Sequence, residues 1–216
     1  MKEVRFKVCG MTRVEDTRVA AAAGASYLGF IFYPKSPRAM TLERFVEIRD
    51  ELPDLPKVAV LVNPEPSFLE RCFDVGLSIA QIHFDQDVDC SIVKQWSGIA
   101  TPERLWLAPK IKPGDSFDES LLAYAGTILW DAYKKNAFGG TGHLSDWERF
   151  SKLRASHLEI SWILAGGLNP DNLRDALLGT GAELLDFNSG VEMSPGVKNH
   201  DKIMAIGEEL RCFSGK

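Results

Sequence analysis

The chain has 216 residues and a net charge of -5, and 45% of its residues are hydrophobic, which is typical of an ordinary folded protein. The acidic balance and the lack of a Lys/Arg cluster argue against a nucleic-acid partner. No apolar run reaches the roughly 18 residues that a membrane span needs, and the amino terminus is charged from Lys2 onward, so we expect a cytoplasmic protein with no membrane contact. The four cysteines show no CxxC or Cys/His spacing, and no metal site is expected.

Strand and helix patterns alternate along the chain. The first strand, 4–8, alternates apolar and charged residues, and Gly10 then allows a sharp turn. The eight predicted strands are 4–8, 27–32, 57–62, 79–83, 104–111, 127–130, 160–165 and 184–187. The eight predicted helices are 15–23, 42–52, 67–75, 88–96, 117–124, 146–156, 170–178 and 199–211.

This alternation predicts the fold. Eight strand and helix units in 216 residues leave about 27 residues per unit, near the minimum for a strand, a helix and two loops. We therefore predict an α/β protein in which residues 1–216 form one (β/α)8 TIM barrel domain. A doubly wound open sheet is the alternative, but it normally has five or six strands. Both folds bind ligands at the carboxyl ends of their strands.

Three chemically active side chains are predicted at that edge. Cys9 follows the first strand, Asp131 follows the sixth, and Asp186 lies in the eighth. Cys9 is either a small core residue or a reactive thiol. Asp131 either caps a loop or forms a proton shuttle with that thiol, and Asp186 is a second candidate carboxylate.

Two loops predict a phosphate site, because barrels of this class commonly hold a sugar phosphate after strands seven and eight. Glycines in these loops let backbone amides approach an anion, although each glycine pair alone is also typical of an ordinary turn. The candidate phosphate ligands are Gly167, Asn188, Ser189 and Gly190.

Two further residues have open interpretations. Arg38, in a proline-stiffened loop after strand two, is either a surface group or a bidentate partner for a substrate carboxylate. His83 is interpreted as making one structural hydrogen bond and is left out of the catalytic set. A metal site of Asp131, Asp186 and His83 is conceivable, but their spacing does not favour it.

Motifs in a fixed order carry a resemblance that covers most of the chain. They are Lys7-Val8-Cys9-Gly10-Met11-Thr12, Leu28-Gly29-Phe30-Ile31-Phe32, Lys35-Ser36-Pro37-Arg38, Gln81-Ile82-His83, Gly139-Gly140-Thr141-Gly142, Asp146-Trp147, Leu164-Ala165-Gly166-Gly167-Leu168, Ser189-Gly190-Val191-Glu192 and Ser194-Pro195-Gly196-Val197-Lys198. This set resembles the phosphoribosylanthranilate isomerase family of tryptophan biosynthesis.

The resemblance implies an Amadori rearrangement of N-(5-phosphoribosyl)anthranilate to 1-(2-carboxyphenylamino)-1-deoxyribulose 5-phosphate, with no metal or organic cofactor. It implies that Cys9 is the general base, that Asp131 is the general acid and that Arg38 binds the anthranilate carboxylate. The further residues that it implies are Asp186 as a pocket carboxylate and Gly167, Asn188, Ser189 and Gly190 as phosphate ligands. It also suggests a monomer rather than a homodimer.

This chemistry requires the site to lower the thiol pKa from about 8.5 and to raise the Asp131 pKa from about 3.9. We expect Lys7 to favour the thiolate and partial burial to keep Asp131 protonated. Indole-3-glycerol-phosphate synthase, on the same barrel, relies on lysine and glutamate where this chain offers Cys9 and Asp131. The alternative of a different class is a non-catalytic protein that binds a phosphate ligand on the same barrel.

The chain departs from the family pattern at a few positions near the motifs. Phe84 replaces a usual Gly, Ser145 a usual Phe, and Phe187-Asn188 the frequent Val-Ser. These changes leave the implied acid and base in place. We expect them to affect packing around the pocket and the phosphate contacts.

Overall fold

The structure, a computed structural model, describes residues 3–111, 114–131 and 143–214. The strands in these residues are β1 (Arg5–Val8), β2 (Tyr27–Ile31), β3 (Lys57–Val62), β4 (Ile79–Asp85), β5 (Leu105–Lys110), β6 (Thr127–Asp131), β7 (Ser161–Ala165), β8 (Leu184–Phe187), β9 (Glu192–Ser194) and β10 (Val197–Lys198). The α-helices are α1 (Val14–Ala23), α2 (Leu42–Ile48), α3 (Pro66–Asp74), α4 (Cys90–Ala100), α5 (His143–Ser156), α6 (Leu173–Thr180) and α7 (His200–Ser214).

Strands β1 to β8 form a closed parallel barrel in sequence order. The ring closes at β1, where Val8 lies opposite Leu28 of β2 on one side and Phe187 of β8 on the other. Closure gives every one of these eight strands two neighbours and leaves no open edge. The predicted TIM barrel is therefore confirmed, and the open-sheet alternative is wrong.

The helix ends follow from local chemistry. Gly24 ends α1 with a left-handed φ of 94°, and its N–H donates to the carbonyls of Ala20 and Ala21. Thr41 caps α2 by accepting a hydrogen bond from the Arg44 N–H. Both ends agree with the sequence prediction.

The period-two pattern of β1 divides its side chains between two cores. Phe6 and Val8 belong to the apolar layer between the strands and the helices. Cys9 belongs to the smaller cluster inside the barrel, and the Lys7 side chain is fully buried. Because successive side chains of a strand point to opposite faces, Lys7 and Cys9 share the inner face. The amine of Lys7 and the thiol of Cys9 therefore both lie inside the barrel.

Two parts of the prediction need correction. The helix predicted at 117–124 is only a short 3-10 helix, Glu119–Ala123, which Asp118 caps. Gly126, directly before β6, already donates a hydrogen bond to the Pro102 carbonyl. The short segment before β6 therefore has room for only one turn of 3-10 helix. The β9 and β10 hairpin was not predicted, because strands of three and two residues give no readable alternation. The predicted motif 139–142 lies outside the described residues.

In the described part of the chain, no helix combines the length and the apolarity that crossing a membrane requires.

Candidate functional site

A cavity of about 440 Å³ opens at the carboxyl ends of the barrel strands. It is lined by every residue that the sequence analysis proposed for the site, namely Cys9, Arg38, Asp131, Gly167, Asp186, Asn188, Ser189 and Gly190. The parallel barrel brings them together because each lies in the last residues of a strand or in the loop that follows a strand, at the same edge. Their shared position is a finding, whereas their individual roles stay predictions.

Cys9 is held rigidly where β1 ends. Its N–H donates to the Phe187 carbonyl at 2.8 Å, and the side chain is only 3% exposed. Gly10 follows with a left-handed φ of 71°, and a Cβ atom there would lie 2.7 Å from Cδ of Arg38. The glycine is therefore required both for the turn and for the close approach of Arg38.

An ion pair lies beside the thiol. The Lys7 ammonium is 2.6 Å from Asp186 Oδ1, and its positive charge acts to lower the pKa of the Cys9 thiol. Gly29 leaves the space for this arrangement, since a Cβ atom there would lie 2.9 Å from Lys7 Cε and 3.1 Å from Cys9 Sγ. The sequence analysis expected Lys7 to favour the thiolate but did not include it among the candidate site residues. The sequence pattern that indicates Lys7 is its spacing: it lies two positions before Cys9, and residues two apart in a strand share one face.

The pKa of Cys9 does not shift in the expected direction. Burial raises the pKa of the thiol, Lys7 opposes the rise, and Asp186 adds to it, so the net pKa lies above the usual value. The expectation that the site lowers this pKa is therefore wrong. Burial is the largest cause, and Lys7 does not offset it while Asp186 adds to the rise. The interactions of Lys7 with Asp186 and Cys9 together outweigh the burial of the ammonium and keep the Lys7 pKa raised.

Asp131 ends β6 at the cavity, and its side chain is exposed. The partial burial that we expected for this carboxyl group is thus not found in the described part of the chain. An exposed position at the mouth places the group beside an incoming ligand and in contact with water.

His83 also lines the cavity, and its Nε2 lies 2.8 Å from Nε2 of Gln81. This contact confirms the expected single hydrogen bond. Burial, assisted by the charge of Lys7, lowers the pKa of His83 to about 4, so the imidazole is neutral at pH 7. Within the described residues, no group of three His, Cys, Asp or Glu side chains is arranged to hold a metal, and the conceivable site of Asp131, Asp186 and His83 does not form.

The loops after β7 and β8 touch each other at the cavity. Gly166 and Gly167 have left-handed φ values of 94° and 68°, and the side-chain amides of Asn169 and Asn172 both donate to the Gly167 carbonyl. On the other loop, a Cβ atom at Gly190 would overlap the Leu168 carbonyl oxygen. Both loops therefore depend on glycine to keep their backbones close to the cavity and to each other.

Two residues that the sequence prediction missed support the remaining candidates. Glu192 accepts hydrogen bonds from Arg38, and Lys198 donates to both Glu192 and Asn188. Both lie in the β9 and β10 hairpin. The motifs of the resemblance contained them, but only the hairpin brings their side chains to Arg38.

The departures from the family pattern lie mostly outside the cavity. Phe84 packs edge-on against Trp96, and Phe187 against Phe6, with ring centroids 5.6 and 6.1 Å apart in the layer under the helices. The expected effect of these two residues on the cavity is therefore indirect. Asn188 does line the cavity, as expected, whereas the side chain of residue 145 lies outside the described ones.

Comparisons with known proteins agree on one family. The model of the N-(5'-phosphoribosyl)anthranilate isomerase family matches residues 6–209. A relative of that name from Gloeothece citriformis is 38% identical over 213 residues, which cover 96% of this chain and 94% of the relative.

Solved structures of the same enzyme share the fold. The phosphoribosyl anthranilate isomerase from Thermotoga maritima has a TM-score of 0.76 and 29% identity, with 97% of this chain and 99% of that chain covered. Another phosphoribosyl anthranilate isomerase, solved with reduced 1-(o-carboxyphenylamino)-1-deoxyribulose 5-phosphate, has a TM-score of 0.73 and 28% identity, with the same coverage.

Proposed function

The chain belongs to the N-(5'-phosphoribosyl)anthranilate isomerase family, and we propose from this premise how its cavity performs the reaction. The protein is an isomerase of tryptophan biosynthesis that converts N-(5'-phosphoribosyl)anthranilate, an aminoaldose phosphate, to 1-(2-carboxyphenylamino)-1-deoxyribulose 5-phosphate. The observation that carries the proposal is that one cavity is lined by a thiol, a carboxyl group, an arginine and both glycine-containing loops. These groups match the sugar, the carboxylate and the phosphate of the substrate.

The reaction needs an acid and a base that face one sugar. In the proposed mechanism, Asp131 donates a proton to the furanose ring oxygen, and the ring opens to a protonated Schiff base. Cys9, as a thiolate, then removes the proton from C2, and the electron pair of that C–H bond moves into the imine. The resulting enolamine tautomerises to the ketone, so the substrate supplies its own electron sink.

The base step requires a thiolate in a buried place. Burial disfavours the thiolate, and Lys7 is the cation that acts most strongly against this effect. We propose that Lys7 offsets this cost as the thiolate forms, and that Asp186 holds Lys7 in place with its contact of 2.6 Å. Asp186 then acts on the thiol through Lys7, in addition to lining the cavity.

The two ends of the substrate have separate partners in this proposal. Arg38 binds the anthranilate carboxylate, because a guanidinium group can hold two carboxylate oxygens at once. The amides of Gly167 and Gly190, with the side chains of Asn188 and Ser189, bind the phosphate. Support comes from their positions, since all five residues line the same cavity.

We also propose that the protein acts as a single-domain monomer in the cytoplasm. The cavity is lined by residues of one chain, so a second copy is not needed to supply the groups named above. The four cysteines are free thiols, as is usual in a reducing compartment. Sedimentation equilibrium of the purified protein tests the monomer, and a dimer at micromolar concentration would contradict it.

Turnover tests the proposed function directly. Freshly generated phosphoribosylanthranilate is fluorescent, and its consumption by the unmodified protein is compared with that by Cys9→Ala. We expect rapid consumption by the first and a loss of about a thousandfold or more in kcat for the second. Binding of the substrate without turnover by the unmodified protein would instead support the non-catalytic binder. Normal turnover by Cys9→Ala would remove Cys9 from the mechanism.

A further inference from the structure

We propose that Glu192 and Lys198 form a positioning pair, which fixes the edge of the Arg38 guanidinium group that meets the substrate carboxylate and preserves the positive charge of that edge. This inference rests on the proposed function, and it concerns substrate selectivity rather than the chemical step. It starts from an apparent contradiction. The arginine expected to bind a carboxylate of the substrate already has a carboxylate of the protein bound to it.

The contact between Arg38 and Glu192 uses one edge of the guanidinium group. Nε of Arg38 lies 2.8 Å from Oε1 of Glu192, and Nη2 lies 2.6 Å from Oε2. In the described part of the chain, Nη1 has no hydrogen-bond partner, and Arg38 lines the cavity. A guanidinium group offers a second pair of N–H donors, on Nη1 and Nη2, and this edge can take two oxygens of a ligand. Glu192 therefore orients the donor edge without occupying it.

Charge decides whether that edge still attracts an anion. Glu192 alone would cancel the charge of Arg38, but the Lys198 ammonium lies 2.8 Å from Oε1 of Glu192. The Lys198 side chain is fully buried, and that of Glu192 is 4% exposed, so water screens neither group well. Two cations and one anion leave a net charge of about plus one beside the cavity.

The ionised state of Glu192 is supported separately. Burial raises the pKa of this carboxyl group, but hydrogen bonds from Arg38 and Lys198 outweigh burial, and the net pKa lies below its usual value. Glu192 is therefore an anion at neutral pH, as the charge balance requires.

The hairpin of β9 and β10 holds the pair in place. The Gly196 N–H donates to Oε1 of Glu192 at 3.2 Å, and the Lys198 N–H donates to the buried Asp16 at 3.2 Å. Lys198 Nζ also donates to Oδ1 of Asn188 at 3.1 Å, which links the pair to the proposed phosphate loop. One buried network thus sets the positions of the groups at both ends of the substrate. We infer that it favours ligands that carry a carboxylate and a phosphate at one fixed separation.

Two unreactive ligands that differ in one group test this inference. Both are reduced amino-sugar phosphates, one with a 2-carboxyphenylamino group and one with a phenylamino group, and calorimetry gives their dissociation constants. We expect the unmodified protein to prefer the carboxylate ligand by tenfold or more, and Glu192→Gln to reduce this preference by about tenfold. Binding of the phenyl ligand should change by less than about twofold. In turnover, KM should rise about tenfold while kcat stays within about twofold.

If Glu192→Gln is folded and binds both ligands equally more weakly, or keeps the unmodified protein's preference, the inference is overturned. Glu209→Gln is the matched control, since it removes a partly exposed carboxylate that lies 2.9 Å from Arg174, and neither affinity should change. If Glu192→Gln does not fold, Lys198→Met tests the charge balance, and it should weaken the carboxylate ligand more than the phenyl ligand. Equal weakening there would also overturn the inference.

The proposed function can fail separately. If the unmodified protein binds neither ligand and does not consume phosphoribosylanthranilate, the proposed function is wrong and this inference falls with it. If the unmodified protein turns over its substrate and prefers the carboxylate ligand, but Glu192→Gln keeps that preference, only the inference is wrong.

Discussion

The Lys7 ammonium lies 2.6 Å from Asp186 Oδ1 inside the barrel, and the two side chains are 0% and 8% exposed. The charge of the ammonium also acts to lower the pKa of the Cys9 thiol. A buried ion pair leaves an uncompensated charge when one member is removed. The same contact therefore affects both the stability of the barrel and the ionisation of the proposed base.

Replacing Lys7 by methionine, which is similar in size but uncharged, separates these effects. The charge of Lys7 lowers the pKa of Cys9, so its removal should raise that pKa further. We expect kcat/KM at pH 7 to fall about a hundredfold and the rising limb of its pH profile to move to higher pH. The measurements are kcat/KM and the rate of Cys9 alkylation by iodoacetamide, between about pH 6 and pH 10.

The double variant Lys7→Met with Asp186→Asn is the control for stability. The single variant should lose about 3–5 kcal/mol in the free energy of unfolding, because it leaves Asp186 buried without its partner. The double variant should regain most of this loss, while alkylation of Cys9 still needs a higher pH than in the unmodified protein. An unchanged alkylation profile in Lys7→Met would show that Lys7 does not influence the thiol.

Asp131→Asn tests the proposed acid with almost no change in shape. Asparagine cannot donate the proton that ring opening requires, so kcat should fall by about a hundredfold to ten-thousandfold, with KM nearly unchanged. Asp85→Asn is a matched control, because Asp85 ends β4 at the same edge but does not line the cavity. Steady-state turnover of both variants decides the role. Equal activities in the two variants would exclude Asp131 as the acid.

The strands and the placement of the site could be predicted from the sequence because both depend on local patterns. The alternation before Cys9 predicted a thiol at the end of the first strand, and closure of the barrel brought it to the same cavity as Asp131. Both residues end strands, and a parallel barrel collects strand ends at one edge. The count of eight units was therefore enough to place them together.

Contacts between distant segments could not be predicted in this way. Glu192 and Arg38 are 154 positions apart, and their ion pair depends on a hairpin too short to show a pattern. The raised pKa of Cys9 comes first from its burial, and it depends also on the opposing charges of Lys7 and of Asp186, which is 179 positions from Lys7. Periodicity reports which face a side chain points to, and it does not report its partners.

His83 offers a test of burial in the cavity. Its pKa of about 4 lies below the ordinary 6.5, so the unfolded chain binds the proton more readily, and the free energy of unfolding should decrease as the pH falls from about 6.5 towards 4. His83→Gln lacks this contribution and should lose less stability between pH 7 and pH 5. Urea unfolding at the two pH values measures the difference. Identical losses would mean that His83 titrates normally.

Gly190→Ala tests the contact between the two proposed phosphate loops. A Cβ atom at Gly190 would overlap the Leu168 carbonyl oxygen, which is backbone and cannot rotate away, so the loops must separate. We expect inorganic phosphate, as a competitive inhibitor, to bind at least about tenfold more weakly. Gly98→Ala, in α4 with open space around it, is the control and should keep the phosphate affinity while stabilising the fold by up to about 1 kcal/mol. Unchanged inhibition in Gly190→Ala would place the phosphate elsewhere.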